Sequence, residues 1–409
     1  MEVPSLKIEV YSPTIKRKEM DAVLTAMVED KIGPGEQAKF LIQTAREKLK
    51  FDYCLALRSP AFALFFALKS LNLEKGQGVV ISALSPLYYQ QVLDDLGLIA
   101  VYCDVLPSTC VMSRETIEKA LESKPEGLDI RAIILHHTLG FLCDALVIAE
   151  LGIPIIEDCS QSYGTLIQES AAVVDEQAND GSGESSAGNT GESKEKASQE
   201  GAGAVPSGCV GVFTILGLEE RDMLTSGGGA LIYAGSRRSS RLRDSSVLRN
   251  LAELPQEYGL PDMNAAMAVV QFREAAKNLT KRREIARLYT QSALRTRHKR
   301  FVQNDVTCQK TGGKSAEDDS PQALPVEYNN YAFPLVLETG LKDVKAYGRR
   351  KDIAVESAFE TTLVGSGQVL PEQCPEAYSL SLRTVLFPLY PRLRFPDAEK
   401  ISKLIQTLP

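Results

Sequence analysis

Apolar positions along the chain change repeatedly between the spacing of helices and that of strands. Near the N-terminus, apolar residues recur at helical spacing and predict an amphipathic helix, with Met20, Val23, Leu24 and Met27 on one face. Further along, short apolar runs such as YCLAL, GVVISA and IPIIED alternate with helical patterns such as PAFALFFALKSL and LYYQQVLDDLG. This alternation is typical of a parallel sheet covered by helices on both faces, which binds ligands at the carboxyl ends of its strands.

Two segments interrupt this pattern. Residues 175–203 hold six glycines, five serines and seven acidic residues, but no aromatic or branched aliphatic residue. Because such a segment buries too little apolar surface to fold, it predicts a disordered acidic insertion. Residues 306–326 predict a second, shorter flexible loop. We therefore expect an N-terminal helix and turn (1–35), a large domain (36–275) and a smaller C-terminal domain (276–409).

Composition argues against several classes of function. The net charge of −7 disfavours nucleic acid or an anionic membrane surface as the main partner. No apolar run reaches the roughly 18 residues of a membrane span, and the first residues lack the design of a signal peptide. The eight cysteines are scattered without a C-x-x-C pair, as expected in a reducing cytoplasm. With only three histidines, His136, His137 and His298, we expect no histidine-based metal site.

Candidate chemistry lies where predicted strands end. Asp158 follows a buried strand, where a carboxylate can hold the pyridine nitrogen of pyridoxal phosphate or can simply cap the next turn. Ser59 lies at a strand-to-helix turn, where a phosphate could meet the amino end of a helix, although Pro60 removes one N–H group. The stretch TSGGGALIY is either a tight turn or a close approach of backbone to a ligand.

Taken in order, seven segments resemble the DegT-type nucleotide-sugar aminotransferases, which are fold type I pyridoxal phosphate enzymes. The resemblance runs from about Ile8 to Leu408 outside the two interruptions. It implies a mostly parallel α/β sheet covered by helices and a smaller α+β C-terminal domain. The segments are PTIKRKEMDAVLTAMVEDKIGPGEQAKFLIQTAREKL, LNLEKGQGVVIS, AVYCDV, ILHHTLG, IIEDCSQSYG, LPDMNAAMAVVQF and TVLFPLYPRLRFPDAEKISKLI.

The resemblance also implies roles for individual residues in binding pyridoxal phosphate. Asp158 matches the aspartate that holds the pyridine nitrogen. Gln161 matches the glutamine that contacts the phenolic oxygen of the ring, and Thr214 matches a serine that binds the phosphate. Ser59 matches the serine of the phosphate turn. Gly228 and Gly229 match the family's paired glycines. Tyr88 and Tyr89 lie near the position of the aromatic ring that covers the cofactor, although the family's own aromatic residue aligns with Pro86.

The departures from the family concern the same site. The Schiff-base lysine falls on Glu219, Glu220 or Arg221, and none of these supplies the neutral amine that the reaction needs. The nearest lysines in the sequence are Lys196 and Lys277.

Two further departures affect phosphate binding. The family's S-G-T turn has become Ser59-Pro60-Ala61, with a glycine, an N–H group and a hydroxyl lost. The segment that carries an asparagine to the partner subunit's phosphate reads Glu257-Tyr258-Gly259-Leu260, and a glutamate there would repel phosphate.

These observations predict a pseudoenzyme with a binding or regulatory role, as a homodimer or in a heterodimer with an active relative. A nucleotide sugar is the expected ligand of its cleft. The alternative is an active pyridoxal phosphate enzyme, an aminotransferase or a dehydratase-like enzyme, on a nucleotide-linked keto sugar. A third interpretation is a binding or scaffold role carried by the acidic insertion.

Overall fold

The computed structural model describes residues 8–51, 53–168, 204–234, 255–303, 305–308, 322–338 and 340–409. The predicted acidic insertion, 175–203, lies outside these residues. In the described part of the chain, no helix is both long enough and apolar enough to cross a membrane.

A seven-stranded sheet forms the centre of the larger part of the molecule. Numbered along the chain, its strands are β1 (Tyr53–Leu57), β2 (Gly78–Ser82), β3 (Ile99–Cys103), β4 (Ile130–His136), β5 (Ile155–Asp158), β8 (Phe213–Gly217) and β9 (Ala230–Ala234). Their order in space is β1-β9-β8-β5-β4-β2-β3. Strand β9 runs antiparallel to both neighbours and the remaining pairs are parallel, so the predicted mostly parallel sheet is confirmed.

Helices surround this sheet and continue into the C-terminal part. They are α1 (Arg17–Val28), α2 (Glu36–Leu49), α3 (Pro60–Ser70), α4 (Tyr88–Leu96), α5 (Arg114–Glu122), α6 (Ala145–Ala149), α7 (Asp262–Ala293), α8 (Leu341–Arg349), α9 (Pro375–Arg383) and α10 (Phe395–Gln406). Strands β2, β8 and β9 are buried at every position, which explains why apolar residues predominate in them.

A second core lies in the C-terminal part. Strands β13 (Phe333–Val336), β14 (Glu356–Ser357) and β15 (Thr384–Phe387) form a sheet in the order β13-β15-β14. Apolar residues of the second half of α7, of α8 and of α10 pack with this sheet. The arrangement confirms the smaller α+β unit, and the long helix α7 joins it to the larger sheet.

Helix α1 forms where the pattern predicts it, but its apolar stripe faces solvent. Met20, Leu24 and Met27 are each at least half exposed, whereas Glu19 and Ala26 are buried. The small Ala26 allows close contact with α7, and Glu19 accepts a hydrogen bond from Gln271 of that helix at 3.0 Å. A buried polar contact therefore decides which face of α1 packs inward.

The prediction of a flexible loop over 306–326 is wrong at both ends. Strands β10 (Val306–Cys308) and β11 (Gln322–Leu324) pair in antiparallel fashion. Next, β12 (Val326–Glu327) joins β6 (Leu166–Gln168) and β7 (Ala204–Pro206) in a three-stranded sheet. Val306 and Leu324 are almost fully buried, so apolar burial holds these ends in place. Residues 309–321 lie outside the described residues.

Candidate functional site

Asp158 lies at the carboxyl edge of the central sheet. It pairs with His136 of β4 on one side and with Ile215 of β8 on the other, because all three strands run parallel. The Asp158 side chain is 1% exposed. The predicted position of this carboxylate at the end of a buried strand is confirmed.

Protein donors occupy both oxygens of the Asp158 carboxylate. The hydroxyls of Tyr88 and Tyr89 donate to Oδ2 at 3.1 and 2.6 Å. The backbone N–H of Ser160 donates to Oδ1 at 2.9 Å, and the Ser160 hydroxyl donates to the same oxygen. An ionised carboxylate offers about four lone-pair positions. Four donors from this chain therefore account for the acceptor capacity of Asp158.

These contacts determine the charge of Asp158. Burial alone would raise the pKa of its carboxyl, but the neighbouring His136 ring and the donors on Ser160 and Tyr89 outweigh burial and hold that pKa well below its usual range. The His136 Nδ1 atom lies 3.8 Å from Oδ2, within the range of an ion pair rather than a hydrogen bond. Burial and the charge of Asp158 raise the pKa of both tyrosines, so their hydroxyls remain donors.

Both tyrosines lie at the start of α4, beside the cleft where the resemblance places the cofactor ring. Tyr89 is fully buried, and its ring meets that of Tyr88 edge-on with centroids 5.0 Å apart. It also packs edge-on against the His136 ring. The two side chains thus fill the space immediately around the Asp158 carboxylate.

Gln161 is engaged in holding a strained turn. Its Oε1 accepts a hydrogen bond of 2.6 Å from the backbone N–H of Leu139, which has a φ of 54°. Such a φ is uncommon for a residue with a branched apolar side chain and needs outside support. The backbone of Gln161 is held by Asn329, whose Nδ2 donates to its carbonyl at 2.7 Å.

The two hydroxyls predicted to bind phosphate also have local partners. The Ser59 Oγ accepts a hydrogen bond of 3.2 Å from the backbone N–H of Phe62 and so caps α3, with Pro60 in the first helical position. The Thr214 hydroxyl donates to the carbonyl of Gly208 at 2.7 Å, and Thr214 is 2% exposed. Both hydroxyls therefore stabilise local backbone.

The departures at the phosphate turn and at residue 257 lie side by side. Arg58 donates through Nε to the carbonyl of Glu257 at 2.5 Å, and its backbone N–H donates to Tyr258 at 3.1 Å. The Tyr258 ring packs edge-on against Phe62 and Phe66 of α3. An apolar and backbone contact thus joins the two segments that carry phosphate ligands in the family.

The segment that aligns with the lysine position turns its charged side chains outward. Glu219, Glu220 and Arg221 are exposed, and Arg221 forms an ion pair of 2.8 Å with Glu356 of the C-terminal part. The paired glycines that follow have positive φ angles, and a Cβ atom on Gly229 would lie 2.4 Å from Leu260. A side chain at residue 229 would collide with Leu260, so this position requires glycine.

Asp222, which is not among the site residues that the sequence predicts, points inward. Its Oδ2 accepts a hydrogen bond of 2.8 Å from the backbone N–H of Glu219. Burial, followed by the negative charges of Asp158 and Glu219, raises its pKa well above the usual range despite that bond. In GLEERDM, several charged residues follow one another, and no pattern in the sequence indicates which of them enters the cleft.

Gly217 packs tightly between Asp222 and Ser160. A Cβ atom at residue 217 would lie 2.2 Å from Asp222 Oδ2 and 2.8 Å from Ser160 Oγ. We expect Gly217→Ala to lower the free energy of unfolding by about 1–3 kcal/mol, the usual cost of overpacking, in urea denaturation. Gly33→Ala is the matched control, because nothing lies within 4 Å of its Cβ position. Equal stability of the two variants would contradict the packing of Asp222 against residue 217.

A neighbouring cluster has the composition of a metal site. Potential ligand atoms of His137, Glu157 and Cys159 lie within 4.8 Å of one another. However, the backbone N–H of Cys143 donates to His137 Nδ1 at 3.1 Å, so in the neutral ring Nε2 carries the proton and points to Glu157 at 3.3 Å. A protonated ring nitrogen cannot bind a metal. The cluster is therefore better explained as a hydrogen-bond network, since Glu157 also accepts from the backbone of Val210.

Known proteins are similar to this chain in sequence. A model of the DegT/DnrJ/EryC1/StrS aminotransferase family matches residues 13–185. EpsN of Bacillus subtilis (strain 168), assigned by its name to the pyridoxal phosphate-dependent aminotransferases, is 24% identical over 308 residues, which cover 69% of this chain and 68% of EpsN. A dTDP-4-dehydro-2,3,6-trideoxy-D-glucose 4-aminotransferase of Saccharopolyspora spinosa is 24% identical over 307 residues, covering 69% and 70%.

The fold is similar to solved aminotransferases over nearly the whole chain. The aminotransferase TlmJ of Streptoalloteichus hindustanus superposes with a TM-score of 0.73 at 17% identity, covering 98% of both chains. The sugar aminotransferase CalS13 of Micromonospora echinospora gives 0.70 at 14% identity, covering 97% of this chain and 99% of CalS13. The structural likeness concerns the fold.

Proposed function

We propose that this chain has the fold of the DegT/DnrJ/EryC1/StrS aminotransferases but acts as a pseudoenzyme, with a binding or regulatory role in place of transamination. Among the described residues, the observation that carries the proposal is that hydrogen-bond donors of this chain occupy the acceptor positions of the Asp158 carboxylate. Its two oxygens already accept from Tyr88, Tyr89 and Ser160. A pyridine nitrogen would have to displace a buried tyrosine hydroxyl to reach this carboxylate.

The other positions of the implied cofactor site support the same conclusion. Gln161, Thr214 and Ser59 each hold a local backbone group. Glu219, Glu220 and Arg221 offer no neutral amine, and residues 197–276 contain no lysine. These residues do not fit pyridoxal phosphate bound in the manner that the resemblance implies. No catalytic step through that group is therefore assigned.

The role that remains is recognition, and the relatives indicate the class of ligand. The similar Saccharopolyspora protein is named for a dTDP-linked sugar, and a further relative is named GDP-perosamine synthase. We propose that the cleft of this chain binds a nucleotide-linked sugar, as a homodimer or in a heterodimer with an active relative. Such a complex would place the chain in a pathway to amino sugars without requiring chemistry from it.

The test measures cofactor retention first. The full chain is incubated with pyridoxal phosphate, desalted and examined by absorbance before and after borohydride, with peptide mapping of any labelled lysine. We expect no retained chromophore and no labelled site in the cleft. The double variant Tyr88→Phe/Tyr89→Phe is the matched control, because it frees Oδ2 of Asp158 without supplying a lysine.

The outcomes separate the two functions. A chromophore that borohydride fixes to one lysine would overturn the pseudoenzyme proposal in favour of an active aminotransferase. A retained chromophore that is not fixed would favour dehydratase-like chemistry on a keto sugar. In a second arm, dTDP-glucose and GDP-mannose are the probes, and binding should raise the melting temperature of the same sample by mass action. A protein that neither probe stabilises would contradict the recognition role.

A further inference from the structure

A row of apolar side chains on the outer side of α1 and on the turn after it, named here the α1 stripe, faces solvent. Its exposed fractions are Met20 51%, Leu24 55%, Met27 50%, Val28 83% and Ile32 57%. The first four recur at the spacing of one helix face, as in the seam where two helices pack. Monomeric proteins rarely expose a continuous apolar surface larger than roughly a few hundred Å². The α1 stripe therefore indicates a contact that the described residues of one chain do not supply.

The opposite side of α1 packs against α7 without help from the stripe. Ala26 and Glu19, at 3% and 1% exposure, lie on this inner side. Gln271 of α7 donates to Glu19 at 3.0 Å, and Lys18 donates to Glu274 of the same helix at 2.5 Å. Small and polar residues thus face the protein while the larger apolar residues face outward, which reverses the usual pattern of a surface helix. This reversal indicates that the outer face has a partner of its own.

The exposed charges at the two ends of α1 give information about that partner. Arg17 and Lys18 are exposed at the amino end, and Glu29 and Asp30 are exposed at the carboxyl end. Lys31 follows and pairs with Glu29 at 3.3 Å, so acids still outnumber bases at this end. The macrodipole of a helix favours the opposite distribution of charge. The distribution becomes favourable when a second helix with the same charges lies antiparallel to α1, because each basic end then meets an acidic end.

The same charges decide between possible occupants of the stripe. An anionic membrane surface would attract the basic end of α1 but would repel Glu29 and Asp30. An unrelated protein would need an apolar row that has acids at one end and bases at the other. A second copy of this chain carries that row by identity, which is the condition for an interface in which both partners use the same surface.

We infer that the α1 stripe is an interface between two copies of this chain, with the two α1 helices antiparallel across a two-fold axis near Leu24. Met20 then lies beside the partner's Val28, and Arg17 lies beside the acidic end of the partner's helix. Five half-exposed side chains leave on the order of 500 Å² on each copy, and a total of about 1,000 Å² is the lower limit for a specific interface. We therefore expect a dimer that forms in the micromolar range. This inference rests on the proposed function only in naming one of its partners, the second copy.

Sedimentation velocity of the full chain between about 1 and 100 μM tests the inference. We expect the wild type to change from monomer to dimer within this range. Leu24→Glu brings two like charges together at the axis and should raise the midpoint concentration at least tenfold. Leu382→Glu is the matched control, because Leu382 is 56% exposed but lies on α9, and it should not change the midpoint. Arg17→Glu should weaken the dimer, and Arg17→Glu/Glu29→Arg should restore it.

Cysteine cross-linking then locates the interface. Leu24→Cys is made in a Cys209→Ser background, which removes the exposed cysteine of the described residues. With oxidised glutathione, we expect this variant to form a covalent dimer through residue 24. Leu382→Cys in the same background is the control and should remain largely uncoupled.

Each result decides the inference. A chain that stays monomeric at 100 μM overturns it, and so does a dimer that Leu24→Glu leaves unchanged and that does not link through residue 24. If circular dichroism shows that Leu24→Glu does not fold, the cross-link alone decides. A monomer that binds vesicles of anionic lipid, unless it carries Leu24→Glu, would identify a membrane surface in place of the dimer. Cofactor retention is measured separately, so a monomer that retains no pyridoxal phosphate would refute this interface and leave the pseudoenzyme proposal standing.

Discussion

Replacing Asp158 with alanine is expected to lower the free energy of unfolding by about 3–5 kcal/mol, the usual cost of removing one partner from a buried charged network. The substitution leaves the hydroxyls of Tyr88 and Tyr89 and the N–H of Ser160 without their acceptor. All of these groups are in a part of the cleft that water reaches poorly, since Asp158 and Tyr89 are almost fully buried. Urea unfolding of the ligand-free chain measures the effect.

The same experiment distinguishes a structural aspartate from one kept for a cofactor. Residues kept for chemistry commonly cost stability in the free protein, so their replacement is neutral or stabilising. A stable Asp158→Ala variant would therefore indicate that the tyrosine contacts contribute little and that the carboxylate is available to a ligand. Tyr89→Phe is the matched variant, because it removes one of four donors and should cost only about 1–2 kcal/mol.

Most of the sheet could be predicted because its strands are buried on both faces. Strands β2 and β4 appear in the sequence as mostly apolar runs, β5 follows the apolar IPII, and these strands alternate with helices along the chain. The reversed direction of β9 has no such signal, since ALIYA is equally apolar in either direction. Strands of three residues are too short to show a period, which is why the pattern of 306–326 predicts a loop at both ends.

The candidate site was predictable in position but not in its contacts. The end of β5 located Asp158, but the resemblance did not indicate the hydrogen bond that joins Arg58 to Glu257 of the same chain. Nothing in the sequence indicated that Tyr88 and Tyr89 both reach the same carboxylate, because neighbouring residues of a helix usually point in different directions. Here α4 begins at Tyr88, so both side chains project from a helix end beside the strand.

Replacing Asp222 with asparagine is expected to stabilise the protein increasingly as the pH rises. The folded pKa of Asp222 is raised, so its contribution to stability is fully present below the unfolded value of about 4 and is lost as the pH rises towards the folded pKa. Asparagine has no proton to lose, so the variant escapes this loss. Each unit between the two pKa values contributes about 1.4 kcal/mol.

Urea unfolding of the wild type and of Asp222→Asn at pH 5 and pH 8 measures the effect as a difference between the two proteins. The pKa values of Asp158 and Glu157 are lowered in the fold. The stability that these two carboxylates contribute to the protein is therefore lost as the pH falls below about 5, equally in the wild type and in the variant. Their contribution cancels in the difference, which should grow in favour of the variant from pH 5 to pH 8. A difference that stays constant would mean that Asp222 is already ionised at pH 5 in the fold, and that a nearby cation compensates its charge.

The control is Glu220→Gln, because Glu220 is exposed and its neighbour Arg221 pairs with Glu356. This variant should show no such trend. The pH dependence would then belong to the one acid of this segment that turns into the cleft.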